Sequence, residues 1–318
     1  MNPLKRHRFS QYRFSHWIAI LLLSVLVSAC TSSKLIIGPL YNRLDDRMKD
    51  QFNELGDFTD EQKAAFEKSV GTYHVWHRQS ELPQYAAFIK TLASSIEKEG
   101  TTETDIQQWM ETVENHSRAA RECHPVNFSF NLMKSLTDEQ ITSIEAHFAE
   151  EREEDITRYE SRSPEERIER RLKNMSKWAG RIDVDFTATQ RALFLSAFKQ
   201  QVSLRKEYFA LSAQWYAEFF ELARAQDNPD FDADMRAHLA KQWRQLETAY
   251  PEQWQANSDL WKDTGLRFVQ SMTPEQRDTL SRWMRKLAST LEAISRDKPS
   301  FQVVNDPSLG CLVDPEST

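Results

Sequence analysis

Residues 76–86 read WHRQSELPQYA, and four of their side chains could do chemistry together. The His77 imidazole can hold or release a proton near neutral pH, and the Arg78 guanidinium can fork onto a carboxylate or phosphate. Glu81 can accept, and the Tyr85 phenol can donate. Gathered at a turn before Pro83, they form a candidate site for a polar head group or a peptide. The same residues also read as a helix end held by Arg78–Glu81 contacts, with Trp76 and Tyr85 in the core, since charged turns are common at such junctions. His74 and His77 stand one helical turn apart, the spacing of a chelating pair, but no third ligand accompanies them. Cys123-His124 is no better, because adjacent residues rarely converge on one ion. The chain has no G-x-S-x-G, no Gly-rich phosphate loop, no H-E-x-x-H and no Glu-x-x-His pair. We therefore expect no catalytic residue, no metal and no cofactor, and a protein that is not an enzyme.

Aromatic side chains offer a second kind of site. Trp215, Trp243, Trp254, Trp261 and Trp283 all fall in the second half, with Trp254 and Trp261 on one helix face at seven-residue spacing. They would line a groove for unfolded chains or acyl groups, or they fill a core. The run Glu150-Glu151-Arg152-Glu153-Glu154-Asp155 is a solvated helix face.

Where these residues work is written in the first thirty positions. Lys5, Arg6, Arg8 and Arg13 precede an apolar stretch, Trp17 to Val27, that is about half the length of a membrane-spanning helix. Val27-Ser28-Ala29-Cys30 follows. It resembles the bacterial lipobox, in which small residues let a signal peptidase reach the bond before a diacylglyceryl-modified cysteine. Residues 1–29 are then a lipoprotein signal peptide, and the lipid on Cys30 is the membrane anchor. Residue 31 is Thr rather than the Asp that favours inner-membrane retention, so the resemblance implies the periplasmic leaflet of the outer membrane. Losing four basic and no acidic residues with the leader moves the net charge from −7 to −11. Such acidity excludes nucleic acid as a partner and disfavours a second, electrostatic attachment to anionic lipid.

In that oxidising compartment Cys123 and Cys311 are expected to pair, because thiols there tend to bond and a bridge would order a tail that lacks helical periodicity.

The elements that must position these residues are helical. Only seven Gly and eleven Pro occur in 318 residues, too few for an architecture of tight turns, and nothing alternates like a strand. Four times an apolar residue precedes Thr-x-x-Gln: Phe58 before Thr59 and Gln62, Leu136 before Thr137 and Gln140, Phe186 before Thr187 and Gln190, and Met272 before Thr273 and Gln276. Each is a capping box, whose Thr hydroxyl and Gln side chain satisfy two orphan amides at a helix start. Phe58 and Phe186 open two halves that share further matches: Ala65-Phe66 with Leu193-Phe194, and Tyr85-Ala86-Ala87-Phe88 with Tyr216-Ala217-Glu218-Phe219, once a gap of a few residues is allowed. The expected fold class is all-α, a multi-helix bundle of two related four-helix units joined by a connecting helix. Its parts are a tether over 30–36, a first unit over 37–162, a connecting helix over 163–182, a second unit over 183–298 and an irregular tail over 299–318. Helices are predicted over 59–79, 83–98, 102–122, 137–160, 164–179, 187–225 without a break, 232–249, 251–270 and 273–296.

The lipobox, Leu40-Tyr41-Asn42-Arg43-Leu44-Asp45, the Thr59 box, and His77-Arg78-x-x-Glu81-Leu82-Pro83-x-Tyr85-Ala86 together resemble a family of proteobacterial lipoproteins of unknown function. Membership implies a lipid-anchored helical periplasmic protein and supplies no activity. The repeated Leu-Thr-x-x-Gln boxes are also similar to those of small periplasmic stress proteins such as the Spy and CpxP chaperones, which use them at helix starts in a cradle-like dimer. The functional expectation is a non-enzymatic envelope protein that binds a protein or peptide partner as scaffold or chaperone-like factor. The alternatives are a carrier or sensor of a small amphipathic ligand such as lipid in an interhelical cavity, and a hydrolase of envelope polymers.

Because Cys30 carries the anchor that this sequence shows, Cys30→Ala is expected to abolish both membrane association and incorporation of a fatty-acid analogue. Equal labelling of mutant and wild type in metabolic labelling would contradict it.

Overall fold

Several helices of this chain begin at side-chain caps rather than at glycine-rich turns. In a computed structural model describing residues 34–297 and 306–311, six helix starts carry complete capping boxes. The helices are α1 (Lys34–Tyr41), α2 (Leu44–Glu54), α3 (Asp60–Trp76), α4 (Leu82–Glu97), α5 (Glu103–Glu122), α6 (Phe130–Met133), α7 (Asp138–Glu160), α8 (Pro164–Gly180), α9 (Ala188–Gln200), α10 (Arg205–Arg224), α11 (Phe231–Lys241), α12 (Gln245–Ala249), α13 (Pro251–Gln270) and α14 (Pro274–Ser295). The protein is an all-α multi-helix bundle, with no strand among the described residues. No described helix is long and apolar enough to cross a membrane. The lipobox and Cys30 lie outside the described residues.

Three helix boundaries differ from expectation. The break expected before Pro83 is absent: α3 runs into α4 through a π-helical turn, His77–Glu81, in which the Leu82 amide donates to the His77 carbonyl. The wider turn accommodates Pro83, whose missing N–H and bulky ring would otherwise disrupt the ladder. Conversely, the helix expected to run unbroken over 187–225 stops at Gln200. Gln201 turns to ψ 124°, and Asn257 on α13 clamps both backbone groups of Val202, accepting from its N–H and donating to its carbonyl, each at 2.9 Å. No Pro or Gly marks this break, because a distant side chain makes it. The stretch predicted over 232–249 also divides, through a 3-10 turn at Gln242–Arg244.

The two halves of the sequence pack across one another. One core joins Phe58, Phe130, Met133, Ile141 and Ile144 of the first half to Trp215, Phe220, Phe231, Met235 and Leu239 of the second. The other joins Ile37, Tyr41, Leu82, Tyr85 and Ala86 to Leu287, Ala288, Leu291 and Ile294. Thus α4 lies on α14 while α10 lies on α7, each half lending a helix to the last helix of the other. The α4–α14 pair is close because Ala86, Ala93, Ser281 and Ala288 are all fully buried along it, and Ser281 donates to the Ala93 carbonyl at 3.0 Å.

The capping glutamines do more than cap. Gln62 and Gln140 exchange amide hydrogen bonds at 3.0 and 2.9 Å, and their remaining N–H groups reach the carbonyls of Ser135 (2.8 Å) and Asp57 (2.7 Å). Gln190 and Gln276 repeat the arrangement, exchanging bonds at 2.9 Å each way and reaching Ser271 (3.1 Å) and Asp185 (2.6 Å). Every amide oxygen also accepts from its own Thr N–H, so all four hydrogen-bonding positions of each side chain are filled. Each amide N–H ends on the residue two before its partner's Thr.

Cys123 and Cys311 form a disulfide, with Cα atoms 5.3 Å apart, that closes 188 residues. In the chain-entropy picture a loop of that size stabilises by about 5 kcal/mol. The bridge holds residues 306–311, which carry no helix, against α3; a Cβ at Gly310 would meet Thr72 Cγ2 at 2.9 Å, so that close approach requires glycine.

Gln190 is fully buried and Gln276 nearly so. Gln190→Leu is expected to cost about 1–3 kcal/mol by stranding its partner's amide, and the Gln190→Leu/Gln276→Leu pair less than the sum of the single changes by on the order of 1 kcal/mol. Urea denaturation of the four chains measures this; strict additivity would contradict the reciprocal pairing.

Candidate functional site

The π turn gathers the predicted residues and aims them inward. A π insertion rotates the residues after it relative to those before, and such turns are frequent at functional positions. Here the rotation brings Arg78, Glu81 and Tyr85 into the core with 1%, 4% and 4% of their surface exposed. Arg78 does not pair with Glu81 as the sequence suggested. Its guanidinium donates to the Ile294 carbonyl at the end of α14 (3.1 Å) and to Asn42 Oδ1 (2.6 Å), and it sits over the Tyr41 ring at 4.9 Å. Glu81 instead faces His116 on α5, Oε2 to Nδ1 at 3.3 Å. His77 Nδ1 meets the Tyr41 hydroxyl at 3.0 Å. Tyr85 stands edge-on to both His77 (5.5 Å between ring centres) and His116 (4.9 Å). Among the described residues, Arg78 Nε is buried without a hydrogen-bond partner.

Burial dominates the electrostatics. It pushes the His74 imidazole down to about 3, with the Arg78 charge and His77 adding to the effect. It pushes His77 down to about 4, against the opposing pull of Glu81. His124, packed beside Tyr73 at 5.8 Å between ring centres, is pushed down to about 4 by burial alone. The phenols of Tyr41 and Tyr85 are raised well above the ordinary tyrosine range, first by burial; the neighbouring Glu81 carboxylate adds to the rise at Tyr85, while Arg78 opposes it at Tyr41. Neutral imidazoles and neutral phenols therefore surround one permanent cation. This cluster can bind three helices together, and its groups are turned away from solvent.

His77, Arg78, Glu81 and Tyr85 do converge as the sequence predicted, although on the bundle's interior rather than on a surface turn. His74 and His77 share the cluster, and no group of three or more potential metal ligands forms among the described residues. Tyr41, Asn42, His116 and Ile294 complete it and were not singled out; Tyr41 and Asn42 carried a signal in the Leu40–Asp45 motif, whereas nothing local marks a carbonyl donated from residue 294. Among the tryptophans, Trp215 is core, locked to His238 by two exchanged bonds: indole N–H to the His238 carbonyl at 3.2 Å and His238 Nε2 to the Trp215 carbonyl at 3.0 Å. Trp243, Trp261 and Trp283 are half-buried, and Trp254 is 43% exposed.

Comparison with known proteins adds a family. Residues 54–250, more than half of the chain, match a family of unknown function (DUF6279). The chain belongs to that family. The match takes in the π turn, both glutamine pairs' first members and the disulfide's Cys123, but stops before α14, so the carbonyl that Arg78 caps lies beyond it. No curated protein and no solved structure matches the chain.

The depressed histidines make stability sensitive to acid. An unfolded chain protonates its histidines near pH 6.5, whereas folded His74, His77 and His124 stay neutral down to about 3 to 4. The unfolded state thus binds more protons through that window, and stability is expected to fall as pH drops below about 6.5, by up to about 1.4 kcal/mol per pH unit for each histidine. Urea midpoints measured between about pH 7 and pH 5, above the range in which carboxylates titrate, check it. A flat profile there would contradict the assignment.

Proposed function

We propose that this chain is a periplasm-facing helical lipoprotein, held by lipid on Cys30 at the periplasmic leaflet of the outer membrane, that works without catalysis as a scaffold or chaperone-like binder of envelope proteins or peptides. The side chains best suited to chemistry are spent on joining α1, α4 and α14, which favours an architectural role for them. The observation that carries the binding role is where large apolar side chains reach solvent. Met110 and Val113 on α5, Val202 in the break after α9, and Trp254 on α13 are between 36% and 48% exposed. Their elements touch: α13 packs on α5, with Gly265 against Ile106 and Gln270 donating to the Thr101 carbonyl, and Asn257 of α13 grips Val202. Trp254 lies one helical turn from Asn257 and so shares its side of α13. An aromatic anchor beside aliphatic neighbours on an otherwise acidic chain suits segments of unfolded or flexible protein, with net charge keeping the complexes soluble.

The chain from Cys30 onward is expected to slow aggregation of an unrelated unfolded protein at near-stoichiometric amounts without nucleotide. Trp254→Ser with Val202→Asp should weaken that effect several-fold while circular dichroism stays that of the wild type. Trp215→Ser should instead unfold the protein, by roughly 3–5 kcal/mol, since it empties a core position. No suppression by the wild-type chain at any ratio would remove the chaperone reading, and suppression untouched by the Trp254 and Val202 changes would remove this surface.

A further inference from the structure

Helix α8 contradicts the charge of the chain around it. Its first turn is acidic, Glu165 and Glu166, but residues 167–181 hold six cations and one anion: Arg167, Arg170, Arg171, Lys173, Lys177 and Arg181 against Glu169. The helix buries none of its residues. Ile168, Leu172, Met175 and Ala179 form its half-buried stripe, at the i, i+4, i+7 and i+11 positions of one face. On the sides of that stripe two arginines turn inward, Arg167 over the Tyr159 ring at 4.1 Å and Arg171 over the Phe198 ring of α9 at 4.3 Å. Arg170, Lys173 and Lys177 fall on the opposite side, are exposed, and have no carboxylate within 4.0 Å among the described residues. Trp178, 36% exposed, stands beside them with the Arg181 guanidinium stacked on its ring at 3.7 Å.

The plain reading is a solvated connecting helix, yet that role needs no segregation of charge. On other helices of this protein, cations such as Lys49, Arg158, Lys262, Arg267 and Arg282 are matched by acids three or four residues away. Here Glu166 and Glu169 stand four residues before Arg170 and Lys173 but form no ion pair with them, Glu166 accepting from the Ser163 N–H instead, and the three cations share one face with a tryptophan at its edge. The apolar stripe is spent on the protein body, so this outward face can meet a membrane only through its charges and the ring at its edge; each cation near an anionic surface strengthens attachment by roughly fivefold. Screening limits the reach of the acidic bulk to about 8–10 Å at ordinary ionic strength, so the net charge of the chain does not cancel this face locally.

We propose that the outward face of α8 lies on an anionic phospholipid surface, with Arg170, Lys173 and Lys177 at the phosphates and Trp178 at the headgroup level. The face would orient the body, turning the acidic remainder outward and restricting the tumbling of a chain held near the bilayer. This restores, for one helix, the electrostatic attachment that overall composition argued against. It rests on the lipid-anchored reading only for the membrane's proximity.

The test uses the mature chain from Cys30, made without lipid, so that failure of Cys30 labelling and failure of this proposal are separate results. Co-sedimentation is measured with vesicles of phosphatidylethanolamine, with and without one third phosphatidylglycerol. Binding is expected only with the anionic lipid, weakening as salt rises. Joint Arg170→Glu, Lys173→Glu and Lys177→Glu changes, all at exposed positions, should lower the partition coefficient by roughly 100-fold or more with unchanged circular dichroism. Trp178→Phe should reduce quenching of protein fluorescence by brominated lipid. No binding to anionic vesicles, equal binding to both compositions, or binding that survives the triple reversal would each overturn the proposal.

Discussion

A buried guanidinium holds this bundle together. Arg78, with 1% of its surface exposed, places a full charge between α1, the π turn and α14, and neutral acceptors surround it: the Ile294 carbonyl, the Asn42 amide oxygen and the face of Tyr41. Removing an ion from water costs several kcal/mol even in a relaxed protein, so such a group persists only where its partners are fixed. The end of α14 supplies one acceptor, the Ile294 carbonyl, and with it the negative end of the helix dipole. Arg277 does the same in reverse, reaching from the start of α14 to the Ile96 carbonyl at the end of α4 at 2.9 Å. Two antiparallel helices are thus latched at both ends by arginines that cap one another's final turns.

The rest of the architecture depends on that pair. Because α4 belongs to the first half and α14 to the second, latching them obliges the chain to cross over, and the α7–α10 contact is the matching crossing. The glutamine pairs fit the same scheme. They tie helix starts 78 and 86 residues apart within each half, and their geometry repeats down to which backbone carbonyl each amide reaches. Helicity departs from the regular α form between α3 and α4 and again between α9 and α10, which is where aligning the two Tyr-Ala-x-Phe segments needs a gap. These repeated details support a common origin for the halves.

Helix starts were legible in the sequence because a capping box is local chemistry: Thr and Gln three residues apart decide it without help. The four Thr-x-x-Gln boxes at Thr59, Thr137, Thr187 and Thr273 all form, and Thr102 with Asp105 and Ser163 with Glu166 make two more. What the sequence concealed was non-local. Asn257 breaks a helix 55 residues away, and no glycine or proline at Val202 announces it. Pro83 looked like a start when a π turn could absorb it. The members of the polar cluster were visible as types, yet their orientation was not, since exposure depends on which helix covers the π turn. Charge segregation on α8 was likewise present in the sequence and hidden by the net charge.

A cluster so placed is architectural first, and the binding surfaces we propose lie elsewhere, around α13 and along α8. The most direct measurement is hydrogen exchange on the Arg78→Met chain, which keeps much of the side-chain volume and deletes the charge. If Arg78 is the latch, amides in the last two turns of α14 and in α1 lose protection together, while α7 and α10 keep theirs. Wild-type protection at the end of α14 in that variant would contradict the account.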